Sequence, residues 1–174
     1  MTEADTCRKH VTPLLQAAGW DTEPYSLAEQ RSVTDGRIVP VGKGFVRKAN
    51  KRVDYLLRYR RDFPLAVVEA KAAYKTAAEG LQQAKDYAEL LDLKFCYATN
   101  GTEIIEFDYF TGLERTVTAY PAPEELWERY RVGKGLKNEK VVEQLLTPYN
   151  HAVGKGERYY QQIAGDRAFE AVLT

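Results

Sequence analysis

Two charged residues in an otherwise apolar stretch are the first sign of chemistry in this sequence. The run LAVVEAKA (65–72) has the composition of a buried β-strand, yet it carries Glu69 and Lys71. Side chains on a strand alternate between its faces, so this acid and this base point the same way. A buried charge without a partner costs roughly several kcal/mol. The pair is therefore either an ion pair at a strand end or part of a functional site.

A second embedded acid favours the functional interpretation. The preceding run, KRVDYLLRYR (51–60), places Asp54 among apolar residues, and a hairpin-like connection through RRDFP would make the two runs neighbouring strands. Asp54 would then approach Glu69 and Lys71. Two close carboxylates repel unless a cation neutralises them, and Mg²⁺ prefers such oxygen ligands. The pattern predicts a Mg²⁺ site with a lysine that supplies positive charge to a nearby water or phosphate.

The elements that must position these residues alternate between helix and strand. The N-terminal run predicts a helix capped by Thr2 or Asp5, kinked or split by Pro13 and ended by Gly19, and an irregular segment over 21–36 follows. Strands are predicted in 37–60, 63–72, 94–101 and 103–112, and helices in 74–94 (about five turns), 122–130, 138–149 and 157–173. This order predicts an α/β fold with a mixed central β-sheet flanked by helices.

Charge and composition narrow the function classes. The chain of 174 residues has 25 basic and 25 acidic side chains, so it lacks the basic excess of a free-standing nucleic-acid binder. Basic residues are nevertheless concentrated between Lys43 and Arg61, where they could face phosphates. Two distant cysteines and two histidines make a structural zinc site improbable. Without a signal-like or membrane-length apolar run, we expect a cytoplasmic protein.

The motif Asp…Glu-x-Lys across two strands resembles the active site of the PD-(D/E)xK nucleases. Val53 stands where the proline of that name would be, at a variable position of the motif. The following helix carries Gln83 and Tyr87, four residues apart and hence on one helical face. This pair resembles the additional Gln-xxx-Tyr motif of RecB-like and restriction-type members. The resemblance implies a restriction-endonuclease-like core.

A closer resemblance covers nearly the whole chain. The runs FPLAVVEAKA, YATNG and PAPEELWERY are similar to the nuclease domain of HsdR, the R subunit of type I restriction-modification enzymes. The resemblance implies a nuclease domain over 1–130 and a helical extension over 131–174 that leads toward a helicase motor. No Walker A loop occurs in these 174 residues, so ATP would be a cofactor of the full-length subunit and not of this chain.

The resemblance also implies residue roles. Asp54 and Glu69 would bind Mg²⁺ together with the backbone carbonyl of Ala70, and Glu3 is a third candidate ligand, although helix-dipole preference explains an acid there equally well. Lys71 would orient the attacking water and stabilise charge on the phosphate, with Gln83 and Tyr87 in support. Four further basic residues are candidate phosphate contacts, although each is also typical of solvated surface charge: Arg8, Arg52, Arg58 and Lys75.

The function implied is a Mg²⁺-dependent DNA endonuclease domain with little sequence specificity of its own. Its expected partners are double-stranded DNA, the modification and specificity subunits of a type I complex, and the motor domains of the full-length protein. Two alternatives stay open. A repair or resolvase-type nuclease would use the same catalytic residues, and a non-catalytic DNA-binding or assembly module would keep the fold without the chemistry.

Overall fold

The described strands form a six-stranded mixed sheet and a separate two-stranded sheet. The computed structural model describes residues 2–33, 38–41, 44–47, 51–147, 165 and 168. The strands are β1 (Ser26–Val33), β2 (Ile38–Val41), β3 (Gly44–Arg47), β4 (Lys51–Arg60), β5 (Phe63–Ala70), β6 (Phe95–Thr99), β7 (Ile104–Asp108) and β8 (Leu113–Val117).

The order in the large sheet is β1-β4-β5-β6-β7-β8. All neighbouring pairs are antiparallel except β5 and β6, which are parallel and are connected by a helix, α3 (Ala78–Leu91). The predicted α/β class is thereby confirmed, and the sheet is consistent with a restriction-endonuclease-like core. The hairpin between β4 and β5 is confirmed as well, because Tyr55 pairs with Val68 across it.

The N-terminal helix is split, as the proline predicts. It consists of α1 (Glu3–Thr6), a π-helical turn (Cys7–Val11) and α2 (Thr12–Ala17). Pro13 has no N–H to continue the regular ladder, and just before it the Thr12 N–H bonds to the carbonyl of Cys7, five residues back. Thr2 is the N-cap, in a capping box with Asp5. Gly19 follows the helix with φ at +93°.

Two later helices complete the described part of the fold. They are α4 (Pro123–Lys134) and α5 (Glu139–Leu146), and both match predicted helices. Of the last predicted helix, Gly165 and Ala168 are helical, and its other residues lie outside the described part of the chain. Among the described residues, no helix combines the length and apolar character that a membrane crossing requires.

Three predictions about elements were incomplete or wrong. The segment 21–36 contains β1, an edge strand whose largely polar run SLAEQRSV has no apolar alternation, since only Val33 at its end is fully buried. Helix α3 has 14 residues and begins at Ala78, later than predicted. Just before the helix, the N–H of Thr76 donates to the side chain of Glu79 in its first turn. Strand β8 was not predicted, since its run LERTV is mostly exposed at the other edge.

The sheet separates two layers of packing. On one face, Leu57 and Phe95 of the sheet pack with residues of the N-terminal and α4 regions. These are Leu15 on α2, Trp20 just after α2, and Trp127 on α4. On the other face, α3 packs against the sheet through a second cluster of buried residues that comprises Val33, Val53, Leu56, Val67, Ala84, Tyr87, Ala88, Leu91, Leu93 and Cys96. Side chains two residues apart on a strand point to the same face, and Val67 faces α3. The side chains of Glu69 and Lys71 therefore also lie on the α3 side, at the end of β5.

Candidate active site

Three carboxylates converge where β4, β5 and α1 meet. One oxygen each from Glu3, Asp54 and Glu69 lies within 4.8 Å of the other two. Asp54 and Glu69 are buried, whereas Glu3 is exposed. The predicted convergence of Asp54 and Glu69 follows from the β4–β5 register, since Tyr55 opposite Val68 sets Asp54 beside Glu69. Glu3 joins them from the first turn of α1.

Two neutral donors hold the carboxylate of Asp54. The N–H of Ala70 donates to Oδ2 over 2.8 Å, and the side-chain amide of Gln30 donates to Oδ1 over 2.8 Å. These bonds come from the strands on either side of β4. They fix the carboxylate without neutralising it, so Asp54 stays available to a cation.

Glu69 is a buried acid that lies close to two other acids. Burial, together with repulsion from Asp54, raises the pKa of Glu69 to about 7. Its Oε1 accepts from Lys71, whereas its buried Oε2 has no hydrogen-bond partner among the described residues. A buried oxygen left without a partner in a group of carboxylates fits a hard divalent cation, which would satisfy that oxygen and offset the repulsion.

Lys71 is the cation inside this cluster. Its Nζ donates to Glu69 Oε1 over 3.0 Å and to Gln83 Oε1 over 2.8 Å. Burial disfavours the charged ammonium, but the bond to Glu69 and the attraction of the other acids outweigh burial and raise the pKa of Lys71. The side chain is therefore an ammonium at neutral pH, and it can stabilise negative charge but cannot accept a proton.

A chain of hydrogen bonds runs from Lys71 across α3 to β4. Beyond its bond with Lys71, Gln83 donates from Nε2 to the Tyr87 hydroxyl over 3.0 Å, and that hydroxyl donates to the carbonyl of Arg52 over 3.0 Å. The four-residue spacing predicted that Gln83 and Tyr87 share a helical face, and they do. Their contacts tie the position of Lys71 to the backbone two residues before Asp54.

The predicted phosphate contacts are not all close to the carboxylates. Arg8 lines the same cavity of about 630 Å³ as Glu3 and Asp54, and its side chain is 78% exposed. Lys75 lies in the turn after β5 and pairs loosely with Glu79 over 3.8 Å. Arg52 is exposed at the start of β4, whereas Arg58 lies four residues beyond Asp54, roughly 13 Å along the strand.

Two residues near the site were not predicted. Gly80 on α3 faces Lys71, and a Cβ there would lie 3.2 Å from Lys71 Cγ and 3.3 Å from Cε, so the glycine leaves room for the lysine stem. A glycine inside a predicted helix was the available signal. Gln30, the partner of Asp54, carried no signal because it lies in the segment predicted to be irregular.

Comparisons with known proteins point to one family. Residues 25–115 match the family model described as type I restriction enzyme R protein N terminus. The chain is 35% identical over 178 residues to the type I restriction enzyme EcoAI endonuclease subunit of Escherichia coli, covering 99% of this chain and 22% of that protein. A solved fragment assigned to an HsdR subunit of a type I restriction enzyme from Vibrio vulnificus YJ016 superposes with a TM-score of 0.87 at 51% identity.

That superposition covers 99% of this chain and 33% of the Vibrio chain, so the sequence here corresponds to a minor part of both relatives. The family model spans β1 through β8 almost completely and includes the embedded acids of β4 and β5. With the six-stranded sheet and this match over more than half its length, the chain belongs to the family of the N-terminal region of type I restriction enzyme R proteins, the HsdR subunits.

Proposed function

We propose that this chain is a Mg²⁺-dependent nuclease domain of the PD-(D/E)xK type, which hydrolyses phosphodiester bonds of DNA. The observation that carries the proposal is the convergence of three carboxylates beside a partly buried ammonium, with one buried carboxylate oxygen that has no partner among the described residues. Membership in a restriction-enzyme family supports it, because the EcoAI relative is described as an endonuclease subunit.

In this proposal, Asp54 and Glu69 hold the metal, with Glu3 and the carbonyl of Ala70 as further ligands. The donor set consists of oxygen atoms only, which suits Mg²⁺ better than a softer metal. When bound, Mg²⁺ supplies Lewis-acid polarisation of a phosphoryl oxygen and generates a nucleophile from water. A bound cation would also favour the charged form of Glu69, whose pKa burial and Asp54 raise to about 7.

Lys71 stabilises the negative charge that develops on the phosphate. Its raised pKa keeps it protonated, so its contribution is electrostatic and hydrogen-bonding rather than that of a general base. An ammonium already fixed by Glu69 and Gln83 needs little reorganisation when the charge appears.

Gln83 and Tyr87 orient that ammonium. The side-chain carbonyl of Gln83 accepts from Lys71, and its NH₂ group donates to the Tyr87 hydroxyl. That hydroxyl in turn donates to the backbone carbonyl of Arg52. In this arrangement Gln83 acts on the lysine rather than directly on DNA. Phosphate contacts fall to the basic residues around the site, and of the four candidates Arg8 and Lys75 have the most favourable positions.

We further propose double-stranded DNA as the substrate, little base readout, and assembly with modification and specificity subunits and with motor domains of a longer protein. The proposed division is a nuclease domain over 1–130 and a helical extension over 131–174. With no net charge, the chain would neutralise few phosphates and bind DNA weakly on its own. DNA would then have to be delivered by the rest of the complex.

Isothermal titration calorimetry with Mg²⁺ tests the proposal, comparing the 174-residue chain with Glu69→Ala. We expect weak binding that is lost in the variant. Glu143→Gln, an exposed acid on α5, is the matched control and should bind as the unaltered chain does. Each protein is then incubated with supercoiled plasmid and Mg²⁺ or EDTA, because a single nick converts the plasmid to a resolvable form.

Slow nicking that requires Mg²⁺ and Glu69 would support the nuclease. Absence of Mg²⁺ uptake both alone and with a short duplex would overturn it. Mg²⁺ uptake and duplex binding without any nicking, even at high protein concentration, would favour the non-catalytic module instead.

A further inference from the structure

Gln30 stands out because its backbone conformation is unusual for its residue type. Its φ is +50°, in the left-handed region that L side chains other than asparagine and aspartate rarely adopt. It lies on β1 between Glu29, which pairs with Tyr55, and Arg31, which pairs with Val53, and hence beside Asp54. A strained position within a strand persists only where the surrounding structure determines it.

The side chain of Gln30 accounts for that conformation. Its Nε2 donates to Asp54 Oδ1 over 2.8 Å, and it lines the cavity next to the carboxylates. The NH₂ end of the amide faces Asp54, because the carbonyl end would repel the carboxylate. With the Ala70 N–H on Oδ2, this bond gives each oxygen of Asp54 a donor.

Asp54 needs such a restraint. The acids Glu3 and Glu69 lie within 4.8 Å of it, and the ammonium of Lys71 is bonded to Glu69 and Gln83 rather than to Asp54. Among the described residues, no salt bridge to Asp54 occurs. A carboxylate in that setting would rotate away from its acidic neighbours unless its oxygens were held.

We infer that Gln30 is a positioning residue that holds Asp54 in its metal-binding orientation before the ion arrives, at the expense of a left-handed backbone. The inference rests on the proposed function and deepens it by assigning a role to the edge strand. An uncharged donor suits this role, since an arginine or lysine at this position would compete with the metal for Asp54. Preorganised ligands bind a metal more tightly than ligands that must first be ordered.

Gln30→Asn provides the sharpest test. Asparagine keeps the amide but is one carbon shorter, so it cannot make the same bond, and it tolerates a positive φ better than glutamine does. We expect a thermal midpoint equal to or above that of the unaltered chain, and a Mg²⁺ affinity lower by about 10- to 100-fold in calorimetry, as for other outer partners of metal ligands. Gln30→Ala should show the same loss, and Ser32→Ala, exposed on the same strand, should show none.

The outcomes separate the inference from the function on which it rests. Undiminished Mg²⁺ binding in Gln30→Asn, with binding lost in Glu69→Ala, would overturn the role of Gln30 and leave the metal site intact. A lowered thermal midpoint with unchanged affinity would also overturn it, because that pattern belongs to a purely structural residue. Failure of the unaltered chain to take up Mg²⁺ would overturn both.

Discussion

Two buried glutamates on the central sheet have opposite surroundings. Glu69 on β5 is 2% exposed and Glu106 on β7 is 1% exposed, so both are equally removed from solvent. Glu106 accepts from Arg115, from Arg129 and from the Tyr97 hydroxyl. Glu69 has Lys71 as a partner on one oxygen and nothing on the other among the described residues.

The pKa values separate the two sites. Burial disfavours the charged form of Glu106, but the hydrogen bonds from Arg129 and Tyr97 outweigh burial and lower its pKa. At Glu69, burial and Asp54 prevail over Lys71, and the pKa rises to about 7. Burial of an acid therefore does not by itself point to function, whereas a buried acid with a raised pKa and too few partners is a functional-site candidate. Glu106 contributes to the fold, and the surroundings of Glu69 support the proposed metal site.

Replacing Lys71 should have the largest effect. In Lys71→Met the aliphatic stem is retained and the ammonium is lost, so the charge on the phosphate goes unstabilised. We expect Mg²⁺-dependent plasmid nicking to fall by roughly 10²- to 10³-fold, the usual cost of one electrostatic donor. Time courses of nicking at equal protein concentration measure it. Lys94→Met is the control, because Lys94 pairs with Asp92 and not with the carboxylates of the site. Equal nicking rates for the two variants would show that Lys71 does not contribute to the reaction.

Replacing Glu106 should instead damage the fold. Glu106→Gln removes the charge that Arg129 and Arg115 face, and breaking a buried pair from one side costs about 3 kcal/mol or more. Arg129 is only partly buried, which places the expected loss at the lower end. Urea denaturation followed by circular dichroism gives the free energy of unfolding. A loss below about 1 kcal/mol would show that solvent screening had already weakened this pair.

The same two residues should respond oppositely to pH in the metal-free chain. Because the folded state raises the pKa of Glu69 from its ordinary 4.5 to about 7, folding takes up a proton between these values. Its effect on stability is then most favourable below pH 4.5 and is lost as pH rises through about 7, by about 3 kcal/mol in total. The lowered pKa of Glu106 gives the reverse, with stability lost as pH falls below 4.5.

Urea unfolding in EDTA from about pH 2.5 to 8 tests this difference. Glu69→Gln should lack the decline between pH 4.5 and 7 and should retain the loss in acid. An unchanged profile in that variant would mean that Glu69 titrates near its ordinary value, and the contrast with Glu106 would have to be given up.

The residue pattern predicts part of this site for identifiable reasons. Asp54, Glu69 and Lys71 were found because each is a charge inside an apolar strand, and the hairpin between their strands followed from chain order. The same criterion would also have selected Glu106 in EIIEFDYF. The residue pattern does not reveal that this acid is neutralised, because its arginine partner on α4 lies 23 residues away. Gln30 could not be found, since a positive φ in a polar edge strand leaves no mark in the residue pattern.

The smallest effect is expected at the far end of the hydrogen-bond chain. Tyr87→Phe removes the hydroxyl that accepts from Gln83 and donates to the Arg52 carbonyl, while the ring keeps its packing between α3 and the sheet. A lost hydrogen bond of this kind is worth about 1 kcal/mol, so nicking should fall by about fivefold if the bond serves to orient Lys71.

Tyr109→Phe is a matched control, because its hydroxyl also reaches a backbone carbonyl of α3, that of Lys85, on the opposite side of the helix from the site. If both variants lose about 1 kcal/mol of unfolding free energy but only Tyr87→Phe slows nicking, Tyr87 orients the lysine. If neither slows it, the tyrosine belongs with Glu106 as a contributor to the fold alone.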